Sequence, residues 1–251
     1  MKYLYLILLF ISFSACSPKE RDKEKSIEPD TDFRVSKKRT DKIPIILNRP
    51  PTDSDVEIFM RNRTPDGFKD LCFHFLKADV QFEELLFALI AVDKFHISHG
   101  YYEVACCLTN CLSYLSISEH SEEIATHFLK VGSRYNDLCS EIYKSLDKRK
   151  NYENEHKYYE KMWLPKDNDK DPIVLLKRKT MLGSTEDYIE LKNVLHNNNK
   201  LYQLLYYSFI MADRYHYAPA GKDVIQIIDR IYKQYELGDM GEEAKYFCGF
   251  F

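Results

Sequence analysis

Two stretches of this chain, 120 residues apart, carry the same pattern, and that pattern limits the fold more than any other feature. QFEELLFALIAVDKFHISHGYYEVACCLTNCL (81–112) lies without gaps over LYQLLYYSFIMADRYHYAPAGKDVIQIIDRIY (201–232). Phe82 meets Tyr202, Leu85 meets Leu205, Phe87 meets Tyr207, Ile90 meets Ile210 and Val104 meets Val224. Asp93, Phe95 and His96 meet Asp213, Tyr215 and His216, and Gly100 meets Ala220. Upstream, Phe68, Leu71 and Phe75 meet Tyr188, Leu191 and Leu195. Few residues are identical; what repeats is the placing of apolar and turn positions.

Within each copy, apolar residues recur three and four apart, Gly and Pro stand between segments, and no long stretch alternates with period two. Each copy therefore reads as a short helix, a helix ending at a D-[KR]-[FY]-H turn, and a helix beginning at a small residue. Thr64-Pro65 and Asp171-Pro172 each supply an N-cap and a first-turn proline. Gly183 and Gly238 read as helix-ending glycines. Residues 121–164, between the copies, supply one long helix or two more. A helix pair buries its apolar face only against neighbours. The expected fold is all-α, with stacked antiparallel helix pairs in an α-solenoid-like arrangement over residues 64–251. Helix pairs joined by Tyr- and Ala-rich turns, clearest in YYSFIMADRYHYAPAGKDVIQIIDRIY (206–232), resemble the tetratricopeptide and Sel-like superfamily. The resemblance covers about a tenth of the chain and implies a helical repeat without implying an activity.

The N-terminus, MKYLYLILLFISFSAC, has a different logic. Lys2 precedes an apolar run from Tyr3 to Phe13 broken only by Ser12. A membrane-spanning helix needs about 20 apolar residues, so the run is too short to cross and fits a secretory h-region. Ser14-Ala15-Cys16 follows, and the chain then turns abruptly to SPKERDKEK. This resembles a bacterial lipoprotein signal, whose lipobox reads aliphatic-small-small-Cys, with Phe13 at the aliphatic place. The resemblance implies a signal peptide (1–15) that is removed, a diacylglycerol on the Cys16 sulfur, and a further acyl chain such as palmitate on its new amine. Two or three acyl chains hold a protein stably at a membrane. Ser17, where a retention signal would have Asp, implies the outer membrane of the cell envelope and leaves open the periplasmic or the surface face.

Residues 16–63 then read as the lipidated cysteine and a mostly disordered linker. From 17 to 42 there are nine Lys/Arg and seven Asp/Glu with few large apolar residues, too little to offset the entropy of ordering. Pro50-Pro51 forbids a helix where it stands. From residue 43 onward, 26 basic residues face 32 acidic ones, a net charge of −6. An acidic domain is a poor binder of phosphate backbones, so nucleic acid is excluded as a partner and a basic protein is compatible.

Six cysteines follow Cys16: Cys72, Cys106, Cys107, Cys111, Cys139 and Cys248. An exported protein can form disulfides. These spacings make neither a small-domain disulfide framework nor paired Cys-x-x-Cys zinc motifs. Cys107 and Cys111 meet Ile227 and Ile231 in the repeat, which favours thiols used as small apolar residues. Cys72 and Cys106 meet Lys192 and Gln226 and are expected nearer the surface. No metal and no cofactor is expected, although His96 and His99 lie close in sequence to CCLTNC.

Asp93 with His96 and Asp213 with His216 are polar pairs that recur. An Asp-oriented histidine base would need a nucleophile recurring beside it, and none does. Both pairs are read as turn structure. Glu155-His156 lacks the second histidine of a zinc-protease helix, and no Gly-rich phosphate loop or Gly-x-Ser-x-Gly elbow occurs. A non-enzyme is expected. The 19 tyrosines include adjacent pairs at 101–102, 158–159 and 206–207, and Tyr215 and Tyr217 two apart. They serve either helix packing or, through outward members, a protein interface, where Tyr is enriched. Tyr101, Tyr102, Tyr206, Tyr207 and Tyr217 are the candidate partner-binding residues. The expected function is a lipid-anchored, non-enzymatic protein-binding module of the bacterial envelope, of which an immunity-type inhibitor of a toxin is one form. A structural adaptor and a peptide- or small-ligand-binding lipoprotein are the alternatives.

Overall fold

Thr52 opens the fold a helix earlier than the linker reading places it. Its hydroxyl accepts the Asp55 amide at 3.4 Å while the Asp55 carboxylate accepts the Thr52 amide at 2.7 Å, a reciprocal capping box. The resulting helix α1 (Asp53–Asn62) buries Val56, Phe59 and Met60. The linker boundary at residue 63 is therefore too late: TDSD, placed in the linker, starts a helix directly after the proline pair. The computed structural model describes residues 50–78, 80–110, 115–116, 118–146 and 171–251. Cys16, the linker before residue 50, Cys111, Glu155-His156 and Tyr158-Tyr159 lie outside the described residues.

Helix α2 (Pro65–Lys77) starts at the expected Thr64 cap. A 3-10 turn (Gln81–Glu84) runs into α3 (Leu85–Asp93), and α4 (His99–Leu108) returns beside it. A two-residue antiparallel ladder joins β1 (Thr109–Asn110) to β2 (Leu115–Ser116). Helices α5 (Ser121–Gly132) and α6 (Asp137–Leu146) follow. The second half contains α7 (Pro172–Met181), α8 (Thr185–Asn197), α9 (Leu201–Asp213), α10 (Ala218–Gln234) and α11 (Glu242–Cys248). Adjacent helices pack as antiparallel pairs, so the chain is all-α as expected. Among the described residues no helix is long and apolar enough to cross a membrane.

The repeat is real down to single backbone bonds. Helices α2 and α8 both have 13 residues and begin 120 residues apart. Arg63 and Gly183 hold the same left-handed place after the first helix of each copy, at φ 54° and 93°. His96 and His216 do so after α3 and α9, at φ 53° and 52°. At those two turns the Ile97 amide donates to Ala91 O at 2.8 Å and the Tyr217 amide to Met211 O at 2.9 Å. These six-residue closures are how a helix satisfies its last carbonyls when one residue turns left-handed. Both histidines point outward and act through their backbones, consistent with turn structure.

The two copies meet through α3 and α9. All nine residues of α3 are buried, as are all but one of α9. A helix apolar on every side belongs inside a larger core. Across the seam, Phe82 lies 4.5 Å from the Tyr206 ring and 6.1 Å from Tyr207, and Phe87 lies 5.2 Å from Tyr202. This corrects the reading of Tyr206 and Tyr207 as partner-facing. Both members of the pair are inside, 1% and 0% exposed, because α9 is covered on both faces. Cys107 and Cys139 are buried with the core, as apolar thiols should be, and Cys106 is half-buried. Cys72 is also buried, against the expectation of a surface position.

Candidate functional site

The aspartates that end α3 and α9 each reach across to the start of a helix belonging to the other half. Asp93 accepts the Gly241 amide at 2.9 Å and the Ala244 amide at 3.1 Å, capping α11, and also the Tyr232 hydroxyl at 2.9 Å. A side chain on Gly241 would collide with that carboxylate, so glycine is required there. Asp213 accepts the His120 amide at 3.0 Å at the head of α5 and pairs with His120 Nδ1. Carboxylates at helix N-termini satisfy free amides and complement the helix dipole. The recurring Asp of each turn is thus a cap exchanged between the repeats, and it brings α5 and α11 together.

Where those two helices meet, aromatic rings form a strip at the surface. Tyr135, 65% exposed, stacks on Tyr101 at 6.4 Å, and Tyr101 contacts Phe128 at 6.1 Å. The His127 ring stacks on Tyr246 at 3.6 Å. Tyr246 meets Phe250 at 5.4 Å, and Phe250 meets His120 at 5.4 Å. Glu243 ties the strip together, accepting the Tyr101 hydroxyl at 3.3 Å and facing His127 Nε2 at 3.1 Å. Burial and then the Glu243 charge push the Tyr101 phenol well above its ordinary range, so it stays a hydrogen-bond donor. Burial followed by the Glu123 and Glu243 charges raises Tyr246 as well. Glu122 and Glu123 begin α5, and Glu242 and Glu243 begin α11, so the strip is bordered by acidic first turns. Half-exposed aromatic rings edged by charge are the composition of a protein interface.

Of the five candidate tyrosines, Tyr101 lies in the strip. Tyr102 is half-buried beside the His99 ring at 5.5 Å. Tyr217 is half-buried at the head of α10, 5.9 Å from Tyr188. The strip residues Tyr135, His127, Tyr246, Phe250 and His120 escaped sequence reasoning. A signal for them exists: SEEI (121–124) lies over GEEA (241–244) at the same 120-residue offset, beyond residues 112 and 232.

The Asp213 hydrogen bond, as the largest influence, raises the His120 imidazole above its ordinary pKa. A raised histidine adds stability that is fully present below the unfolded pKa and is lost as pH rises through the folded one. His120 is 40% exposed, so the contribution is below about 1 kcal/mol. Denaturant midpoints at pH 5.5 and 8.5 should show this part of the pH dependence in the native chain and its absence in His120→Gln.

Among the described residues, two groups of side chains bring metal-ligating atoms together: Glu119, His120 and Asp213, and Cys72, Glu84 and Glu103. The first is occupied by the helix cap just described. Compared with known protein families, curated proteins and solved structures, the chain matches none.

Proposed function

We propose that this is a lipid-anchored protein of the bacterial envelope, tethered through Cys16, whose helical domain binds another protein through the aromatic strip at the α5–α11 junction. The observation that carries the reading is the strip itself: Tyr135 and Tyr101 on one side and His127, Tyr246 and Phe250 on the other, joined through the buried Phe128 ring. Tyr135 offers most of its area to solvent, and Phe128 beneath supplies a rigid apolar base. The acidic first turns at its border, in a domain of net negative charge, favour a basic partner. An immunity-type inhibitor of an exported toxin is the sharpest form of this reading. A lipid anchor would hold such an inhibitor where the toxin arrives, and charge complementarity would speed its capture.

Three experiments test the reading. In membrane fractionation the native chain should sediment with membranes and Cys16→Ala should not; retention of Cys16→Ala would contradict the anchor. Deleting the gene should harm cells only in the presence of a basic exported protein encoded beside it. Harm without such a partner would favour an adaptor of an envelope complex. Tyr135→Ala should leave folding intact, because the ring is mostly exposed, and should weaken partner binding about 30-fold, a hot-spot loss of about 2 kcal/mol. Calorimetry with the purified pair measures both.

A further inference from the structure

The two halves differ most sharply at one matched position, and the difference has the chemistry of a metal site. In the second half, Lys192 on α8 places its ammonium 2.5 Å from the Asp223 carboxylate on α10. The other Asp223 oxygen accepts the Tyr188 hydroxyl at 2.7 Å, and that hydroxyl also meets Ser208 at 2.9 Å. The pair is complete: one carboxylate, one cation and a hydroxyl network. In the first half, 120 residues earlier, Cys72 stands for Lys192 and Glu103 for Asp223. Phe68 and Ala88, in the places of Tyr188 and Ser208, offer no hydroxyl. A second carboxyl, Glu84, stands where the other half has Leu204.

The first half thus gathers two carboxyls and a thiol, and it has lost the lysine that neutralises the second. The ligating atoms of Cys72, Glu84 and Glu103 lie within 4.8 Å of one another. Glu84 is 2% exposed, and its Oε2 has no hydrogen-bond partner. A buried carboxylate oxygen left unpaired is costly and needs either a proton or a cation. His99 Nε2 lies 2.8 Å from Glu103 Oε1 and orients that carboxylate from outside, as groups behind metal ligands do.

We propose that Cys72, Glu84 and Glu103 bind a divalent transition-metal ion of the zinc type, in the place where the second repeat uses the ammonium of Lys192. A thiolate beside two carboxylates selects such an ion over magnesium or calcium, which take oxygen ligands. Binding requires the thiolate, so the thiol proton leaves to solvent as one metal–sulfur and two metal–oxygen bonds form, and binding strengthens as pH rises.

The test uses the full chain, freed of metal by a chelator. Zinc at a hundredfold excess over its Kd should raise the thermal midpoint by about 5–10 °C. Cobalt(II) should bind one to one with a thiolate-to-metal absorption band. Cys72→Ser should lose the band and most of the stabilisation. Cys72→Lys, which installs the residue of the second repeat, should match zinc-loaded native protein without metal and gain nothing from zinc. Glu84→Leu, again the second repeat's residue, should fold and bind zinc at least tenfold more weakly. An unchanged midpoint with zinc, or equal stabilisation of native and Cys72→Ser chains, would overturn the proposal. The buried carboxyl would then be held by a proton alone, or the zinc would sit on other cysteines.

Discussion

Asp93→Ala is expected to destabilise the domain by about 3–5 kcal/mol and to lower its thermal midpoint by about 10 °C. One carboxylate serves three donors in the interior: the Tyr232 hydroxyl and the Gly241 and Ala244 amides. Removing it leaves the Tyr232 hydroxyl and the Ala244 amide buried without a partner, at about 1–3 kcal/mol apiece before any relaxation, and the half-buried Gly241 amide loses its acceptor at a smaller cost. Helix α11 has seven residues and depends on that cap, so its amides should lose exchange protection first. Asp213→Ala provides the internal control. Its partner His120 is 40% exposed and can turn to water, so the expected cost is about 1–2 kcal/mol. Chemical denaturation of the two variants measures the contrast. Equal losses would mean that the exchanged caps do not hold the halves together as described.

The second large effect sits in the seam. Glu83, 1% exposed, accepts the Lys177 ammonium at 2.6 Å and the Tyr207 hydroxyl at 3.0 Å, and Lys177 also reaches Gln203 at 3.2 Å. Lys177→Met strands the Glu83 carboxylate in the core, and the expected cost is about 3–5 kcal/mol. Glu83→Gln should cost less, because a neutral amide oxygen still accepts both bonds, as Gln203 does for Lys177 at the matched position of the other repeat. The double change Glu83→Leu with Lys177→Met removes both charges and should cost only about 1–3 kcal/mol, that of the Tyr207 hydroxyl left without its acceptor. A double-mutant cycle in denaturant should therefore give strong coupling. Additive losses would contradict the account of a buried pair whose halves depend on each other.

The repeat was legible because it is written in apolar spacing, which burial enforces at each turn of a helix. The D-[KR]-[FY]-H turn could be placed for the same reason: a chain leaving α3 or α9 must reverse within a few residues. What the aspartates do was not legible. Asp93 and its capped helix lie 148 residues apart, and no local pattern announces a bond over that distance. Tyr206 and Tyr207 were misplaced because an adjacent pair on a helix normally faces two environments. Here both environments are core, since α9 is covered by the first repeat as well as by its own. Cys72 was misjudged by analogy with Lys192: the position is the same, and the charge that would keep it near solvent is gone. The aromatic strip is assembled from α4, α5, the turn after it and α11, so sequence alone offered only Tyr101.

Affinity capture from native membranes, with tagged chains carrying single surface changes, tests the central claim most directly. Ile189 is 48% exposed and lies on α8, outside the aromatic strip, so Ile189→Ala serves as the surface control. The account predicts one dominant basic exported protein, in stoichiometric amount, held by the native and Ile189→Ala chains and lost with Tyr135→Ala. The same proteins recovered with all three chains, or no specific protein with any of them, would contradict the claim that the strip is a binding surface.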